Sequence, residues 1–216
     1  MTKPLLQLAL DCQEMNTAFT SIETVKDHID IIEVGTILAF AEGMSALKQL
    51  KQKYPNHILV CDMKATDAGA VLAKMAFEAG ANWITVSAAA HIATIAASKK
   101  IADQYGGEIQ IELYGHWTFE DAKQWVDLGI KQAIYHRPRD AELAGIGWTA
   151  NDLEKISSLS KLGLQLSITG GITPESISLF APFNVKAFIA GRSLTENNGY
   201  QMAKNFKNAI QNNWSS

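Results

Sequence analysis

Only two cysteines, Cys12 and Cys61, occur in the 216 residues. That is too few for a disulfide framework and too few for a zinc cluster. A basic surplus is missing as well. The formal net charge is −3 and the pI about 5.9, which gives nucleic acid or an anionic lipid surface little to hold. No apolar stretch approaches the ~18 residues that would suggest a membrane span. The opening Met1-Thr2-Lys3-Pro4 runs straight into an apolar strand without a signal-peptide pattern. No linker, low-complexity tract or charge run marks a second domain, so residues 1–216 read as one unit. The expectation is a soluble cytoplasmic protein with neither a nucleic-acid nor a membrane partner.

What the chain does have is apolar substance in a regular order. Hydrophobic residues make up 47% and charged residues 19%, enough to bury a sizeable core. Short apolar runs alternate with helical-period segments eight times. The runs predict strands over Leu5–Leu10, Ile31–Val34, Ile58–Cys61, Trp83–Val86, Ile109–Leu113, Gln132–Tyr135, Gln165–Ile168 and Ala187–Ala190. Several are nearly continuous in β-branched or large apolar residues, as strands covered on both faces tend to be. Amphipathic stretches such as Gly43–Lys53, Ala68–Ala79, Ala93–Tyr105, Thr118–Leu128, Asn151–Lys161 and Tyr200–Asn213 predict helices. Thr118 heads one as a cap with acids behind it, and Gly80, Gly129 and Gly163 each stand where a helix should stop. Strict βα alternation implies a parallel sheet with right-handed crossovers. Eight units predict a closed (β/α)8 barrel of the TIM type, with an open doubly wound sheet as the alternative.

In such a barrel the active site forms at the C-terminal strand ends. There the sequence places Asp11, Glu33, Asp62 with Lys64 and Asp67, Ser87, Glu112, His136 with Arg139, Thr169-Gly170-Gly171, and Gly191-Arg192-Ser193. A turn needs glycine or a capping acid, but seven of eight ends with ionisable groups or a diglycine exceed that need. Gly170-Gly171 and Gly191-Arg192 follow the seventh and eighth strands, a common phosphate position. Glycine backbone amides and a helix N-terminus can approach phosphate oxygens, and arginine can clamp them. Glu33 and Asp62 lie on neighbouring strands as two hard oxygen ligands, a set that suits Mg²⁺. The alternative reading is a salt-bridged group with Lys64. His136, with Glu112 and Arg139 nearby, is placed as a proton donor. Cys61 reads as core. His116 stays undecided, and Trp148 in the glycine-rich "AGIGWT" is a candidate cover for the site.

"LALD" followed by Asp11, "DIIEVGT", "CDMKATDAG" and "FIAGRS" resemble the orotidine 5′-monophosphate decarboxylase superfamily, whose signature is Asp-x-Lys-x-x-Asp after the third strand. "QIEL", "WTFEDAKQW", "YHRPRDAELAG" and "TGGI" resemble its 3-keto-L-gulonate-6-phosphate decarboxylase branch. The likeness runs along essentially the whole chain. It implies that Glu33 and Asp62 hold Mg²⁺ and that Asp11 holds substrate hydroxyls. Lys64 and Asp67 would steady the intermediate, with Asp67 reaching across a homodimer. It further implies that His136 and Arg139 deliver the proton, and that Glu112 and Thr169 contact the substrate. Gly171, Gly191 and Arg192 would hold phosphate, with Gly170 beside them. The implied reaction converts 3-keto-L-gulonate 6-phosphate to L-xylulose 5-phosphate and CO₂ through a metal-stabilised enediolate, in L-ascorbate or related sugar-acid catabolism. Two other readings stay open: a 3-hexulose-6-phosphate synthase using a similar enediolate, and a non-catalytic barrel that binds a sugar phosphate.

Overall fold

Eight parallel strands pair in chain order and close on themselves, β1 against β8, in a computed structural model that describes residues 2–137, 145 and 147–214. They are β1 Leu5–Leu10, β2 Ile31–Val34, β3 Ile58–Ala65, β4 Trp83–Ser87, β5 Glu108–Glu112, β6 Gln132–His136, β7 Gln165–Thr169 and β8 Val185–Ala190. The closed (β/α)8 barrel is therefore the observed architecture, and the open sheet is not.

Around the barrel run α1 Met15–Val25, α2 Thr36–Glu42, α3 Met44–Lys53, α4 Gly69–Glu78 and α5 Ile92–Tyr105. They are followed by α6 Phe119–Asp127, α7 Ala150–Lys161, α8 Arg192–Thr195 and α9 Gly199–Asn213. Six helices coincide with the expected periodic stretches to within about two residues; α1, α2 and α8 had no expected counterpart. Thr118 forms a reciprocal capping box with Asp121, and Thr149 forms a second one with Asp152. Gly80, Gly129 and Gly163 sit just past their helices with φ of +106°, +77° and +96°, as their placement predicts. The segment after β7 holds only a 3-10 turn, Ser176–Phe180.

Strand parity divides the core. Outward-facing residues such as Leu6, Leu8, Ile32, Leu59, Cys61, Ile84 and Ile111 meet the helices in one large apolar cluster. The inward face departs from the continuous apolar burial expected of these strands. A small apolar layer of Ile31, Val60, Trp83 and Ala187 closes the base of the barrel. Above it sit buried polar residues, among them Gln7, Glu33, Thr85, Gln110, Gln132 and Ser167. Gln110 Nε2 donates to Gln132 Oε1 at 2.9 Å, and Gln132 Nε2 to Glu108 Oε2 at 2.5 Å. Burying such groups is tolerable only when they are hydrogen-bonded. The layer is thus a polar floor beneath whatever the strand ends carry.

β3 runs four residues beyond its expected end, through Asp62, Met63, Lys64 and Ala65. Its register against β4 shifts between Cys61 and Ala65, and Lys64 takes φ +44° within that irregularity. Bulges re-aim side chains near active sites, and a non-glycine residue in the left-handed region is uncommon. Lys64 shares the inward parity of Val60 and Asp62 and lines the barrel mouth at this irregularity.

Candidate active site

A cavity of about 670 Å³ opens at the C-terminal strand ends. Residues from seven of the eight strands, or from the loops directly after them, line it: Asp11, Glu33, Asp62, Lys64, Glu112, His136, Thr169 and Ile189. Gly170, Gly171, Gly191 and Arg192 border its other side. Apart from Ile189, these are residues that the strand ends predicted; Ser87, Asp67 and Arg139 are the predicted ones not among them. Asp67 is exposed and does not line the cavity of its own chain. Arg139 lies outside the described residues.

Glu33 pairs across the ladder with Val60, so Glu33 and Asp62 share one parity and both point inward. Each is nearly buried, at 6% and 5% exposure. Asp62 is fully engaged. Thr85 Oγ1 donates to Oδ1 at 2.7 Å, and Thr36 Oγ1 donates to Oδ2 at 2.6 Å. Lys64 Nζ bonds the same Oδ2 and also donates to Thr36 Oγ1 at 2.7 Å. Burial works against the Asp62 charge, but Lys64 and these hydroxyls outweigh it and hold the carboxyl below its usual range. For Glu33 the balance goes the other way. Burial, and then the charge on Asp62, push its carboxyl well above the usual range, opposed by a hydrogen bond from Gln7 Nε2.

Of the two alternatives left open for Glu33 and Asp62, the salt-bridged one is met at Asp62. Asp62 is ion-paired with Lys64, while Glu33 and Asp62 remain two buried carboxylates whose charges repel. A divalent cation between them would relieve that repulsion. No third His, Cys, Asp or Glu completes a metal cluster among the described residues. The donor set fits a hard ion that keeps waters and takes few protein carboxylates, as Mg²⁺ does.

Glu112 links this cluster to His136. It is 3% exposed on β5; its Oε2 lies 3.2 Å from Lys64 Nζ and its Oε1 lies 3.0 Å from His136 Nδ1. Burial pushes its carboxyl above the usual value, and the His136 hydrogen bond works the other way. For Lys64, burial opposes the charge, but Asp62 and Glu112 together hold the ammonium above its usual value.

Tyr114 completes the group. Its hydroxyl is 2.8 Å from His136 Nδ1, its ring is tilted against the imidazole at 4.8 Å, and Lys64 Nζ stands 5.4 Å from its ring centre. Tyr114 was not among the expected site residues. Thr36, Thr85 and Gln7 were missed outright, although inward parity of β1 and β4 could have flagged Gln7 and Thr85. Ser87, the residue expected at that strand end, instead accepts from Ala89 N at 3.2 Å.

At the other side of the cavity, Gly170 and Gly171 take φ of +97° and +60°. Thr169 Oγ1 donates to Ile189 O at 3.0 Å and ties β7 to β8 there. The expected help from a helix N-terminus is not met. A 3-10 turn follows the diglycine, and α8 after Gly191 has only four residues, too short for aligned peptide dipoles to sum usefully.

Three side readings also resolve. Cys61 is buried in the outer core, with its thiol pushed up to about 12 by burial and then by Asp62. His116 is exposed and away from the cavity. Trp148 does not cover the site; it packs edge-on against Phe180 at 5.0 Å, outside the cavity lining.

Comparison with known proteins places the whole chain among close relatives of the same fold. The profile of the Orotidine 5′-phosphate decarboxylase / HUMPS family matches residues 4–204. The probable 3-keto-L-gulonate-6-phosphate decarboxylase of Haemophilus influenzae is 56% identical, over 99% of this chain and 100% of its own. The crystal structure of 3-keto-L-gulonate-6-phosphate decarboxylase from Vibrio cholerae is 62% identical with a TM-score of 0.95, covering 99% of this chain and 100% of that one. A ligand-bound crystal structure of KGPDC from Streptococcus mutans is 40% identical with a TM-score of 0.95, again over 99% and 100%.

Proposed function

The chain belongs to the orotidine 5′-phosphate decarboxylase / HUMPS family, and from that premise we propose that it decarboxylates 3-keto-L-gulonate 6-phosphate, the substrate in its relatives' names. The products would be CO₂ and L-xylulose 5-phosphate, within L-ascorbate or related sugar-acid catabolism in the cytoplasm. One observation carries the reading. A buried carboxylate, Glu112, holds an ammonium on one oxygen and an imidazole on the other, both lining the same cavity. Stabilisation of an anion and delivery of a proton are the two things this reaction needs.

Loss of CO₂ breaks a carbon–carbon bond and leaves its electron pair on the adjacent carbon, delocalised onto the neighbouring keto oxygen as an enediolate. Lys64, kept protonated by Asp62 and Glu112, donates a charge-assisted hydrogen bond to the oxygen where that charge grows. Mg²⁺, held by Glu33 and Asp62, would supply further positive charge opposite the developing anion. His136 then gives one proton to the carbon that lost CO₂, and solvent replenishes it. Glu112 and Tyr114 fix the imidazole for that transfer through its Nδ1. Asp11 holds sugar hydroxyls at the mouth, Glu112 and Thr169 contact the substrate, and Arg139 assists the proton transfer. Gly171, Gly191 and Arg192 hold the phosphate, with Gly170 shaping the turn.

We place Asp67 in the partner's site of a homodimer. Its exposure outside its own cavity supports this, as do apolar residues on the helices that follow β2 and β3. Ile37, Phe40, Val71 and Met75 are 39%, 85%, 61% and 46% exposed there. A cluster of exposed apolar side chains beside a functional loop is what an interface needs.

Gly35 supplies a test of the Asp11 role. A Cβ at Gly35 would lie 2.4 Å from Asp11 Oδ1 and 2.6 Å from Leu10 O, so alanine must displace the carboxylate. Misplacement of a substrate-positioning group by about 1 Å can cost ~10²-fold. Gly35→Ala is expected to lose kcat/KM on that scale and to resemble Asp11→Ala in steady-state kinetics. Wild-type kcat/KM in a folded Gly35→Ala protein would remove Asp11 from the site.

The test of the function itself is a paired assay on one preparation with Mg²⁺. One arm follows CO₂ release from 3-keto-L-gulonate 6-phosphate; the other follows condensation of formaldehyde with D-ribulose 5-phosphate. Decarboxylation should dominate. Faster condensation would assign the protein to the synthase reaction, and no turnover in either arm would favour a binding barrel.

A further inference from the structure

Arg137 follows β6 directly, is 9% exposed, and is not part of the cavity lining. Its backbone N–H donates to Thr169 O at 3.1 Å, which carries the β6–β7 ladder one residue further. Its side chain then reaches the diglycine turn from behind. Nε donates to Gly170 O at 2.9 Å, and Nη2 donates to Gly171 O at 3.4 Å. The guanidinium lies 5.2 Å from the Trp148 ring centre, and Trp148 is itself packed on the fully buried Phe180. The contact is tight on the glycine side as well. A Cβ on Gly170 would lie 2.2 Å from Arg137 O, and Gly170 already needs φ +97°. Nothing larger than glycine fits between the turn and the arginine backbone.

The stereochemistry of the peptide bond turns this contact into a consequence for the cavity. Cis peptide bonds are absent among the described residues. In a trans unit the carbonyl and the next residue's N–H point in opposite directions. With the carbonyls of Gly170 and Gly171 aimed at Arg137, the amides of Gly171 and Ile172 point away from it, on the side where both residues line the cavity. Hydrogen bonding to the carbonyl by a cation also polarises each unit and makes its N–H a better donor.

We infer that Arg137, backed by Trp148, is a positioning residue that sets the diglycine turn so that two successive amides, of Gly171 and Ile172, present themselves to the substrate phosphate. The inference rests on the phosphate reading of that turn. Arginine suits the task because its planar fork can hold two carbonyls in a fixed relation, which a lysine ammonium cannot. Trp148 thereby has a role its sequence position did not disclose: it backs the arginine and does not cover the site.

The experiment measures inorganic phosphate as a competitive inhibitor of wild type, Arg137→Lys and Arg192→Ala, with thermal unfolding run alongside. Arg137→Lys keeps the charge but loses the fork. It is expected to raise the inhibition constant for phosphate, and the KM, by about 10-fold, the scale of one charge-assisted hydrogen bond, with a smaller fall in kcat. An unchanged phosphate constant in Arg137→Lys, with a raised one in Arg192→Ala, would overturn the inference and leave the phosphate reading standing. Unchanged constants in both variants would move the phosphate elsewhere and remove both. Should Arg137→Lys fail to fold, the wild type decides by NMR. On titration with inorganic phosphate, the amide protons of Gly171 and Ile172 should both shift downfield; a response from neither, while other cavity residues shift, overturns the inference.

Discussion

Replacing Lys64 with alanine is expected to lower kcat by roughly 10²–10³-fold, the usual cost of removing one donor aimed at a developing oxyanion. The structure shows why the loss is large. Lys64 Nζ bridges Asp62, Thr36 and Glu112 from a left-handed backbone at φ +44°. Stability should fall as well, because Asp62 and Glu112 are then two buried carboxylates without their shared cation. That second effect can be separated from the first. Adding Glu112→Gln to Lys64→Ala removes one of the stranded charges, so thermal unfolding should recover part of its midpoint while the rate stays low. A Lys64→Ala enzyme within about tenfold of wild-type kcat would contradict the role given to this residue.

Mixing two inactive proteins should restore activity. Lys64→Ala and Asp67→Ala homodimers are both expected to be nearly dead, because in the proposed dimer each site would take Lys64 from one chain and Asp67 from its partner. In a hybrid dimer one site inherits both lesions and the other neither. Random exchange of equal amounts makes half the dimers hybrid, each with one good site of two, so activity should reach about a quarter of wild type, as two-fold symmetry requires. The exposure of Asp67, and its absence from its own cavity lining, make this arrangement the one to test. If subunit exchange is demonstrated and activity does not return, Asp67 acts within its own chain or not at all. Placing a charge among the exposed apolar residues, as in Phe40→Glu, offers a control, since it should abolish both dimer and rescue.

The barrel was legible because its signal is repeated: apolar runs and helical periods alternate along the whole chain, and errors at single boundaries do not change the topology. The acids and Lys64 were legible for a different reason. A structural strand end has no use for a carboxylate or an ammonium, so each one stood out against its apolar run. What could not be read depends on geometry that sequence spacing hides. Thr85 follows Ile84, the partner of Cys61, so it meets Asp62 only once the β3–β4 register is known, which spacing within either strand does not fix. Thr36 is the first residue of a helix that the periodicity did not reveal, and it both accepts from Lys64 and donates to Asp62. Gln7 lies in the middle of a strand that reads as wholly apolar core, yet it turns into the barrel and meets Glu33. Arg137 stood beside His136 in the sequence and drew no notice, because its partners are carbonyls on a turn more than thirty residues away. Helix dipoles at the phosphate turns were the opposite error. The spacing allowed full helices there, and the chain made a 3-10 turn and a four-residue helix instead.

On the proposed reading, the site built around Glu33, Asp62, Lys64 and Glu112 decarboxylates its substrate with the help of a divalent metal. Its most direct test is CO₂ release from 3-keto-L-gulonate 6-phosphate by protein stripped of divalent metal, with the absence of metal verified by elemental analysis. No release above background is expected in excess chelator, and one CO₂ per substrate consumed once Mg²⁺ is added back. Undiminished CO₂ release by the verified metal-free protein would contradict that reading.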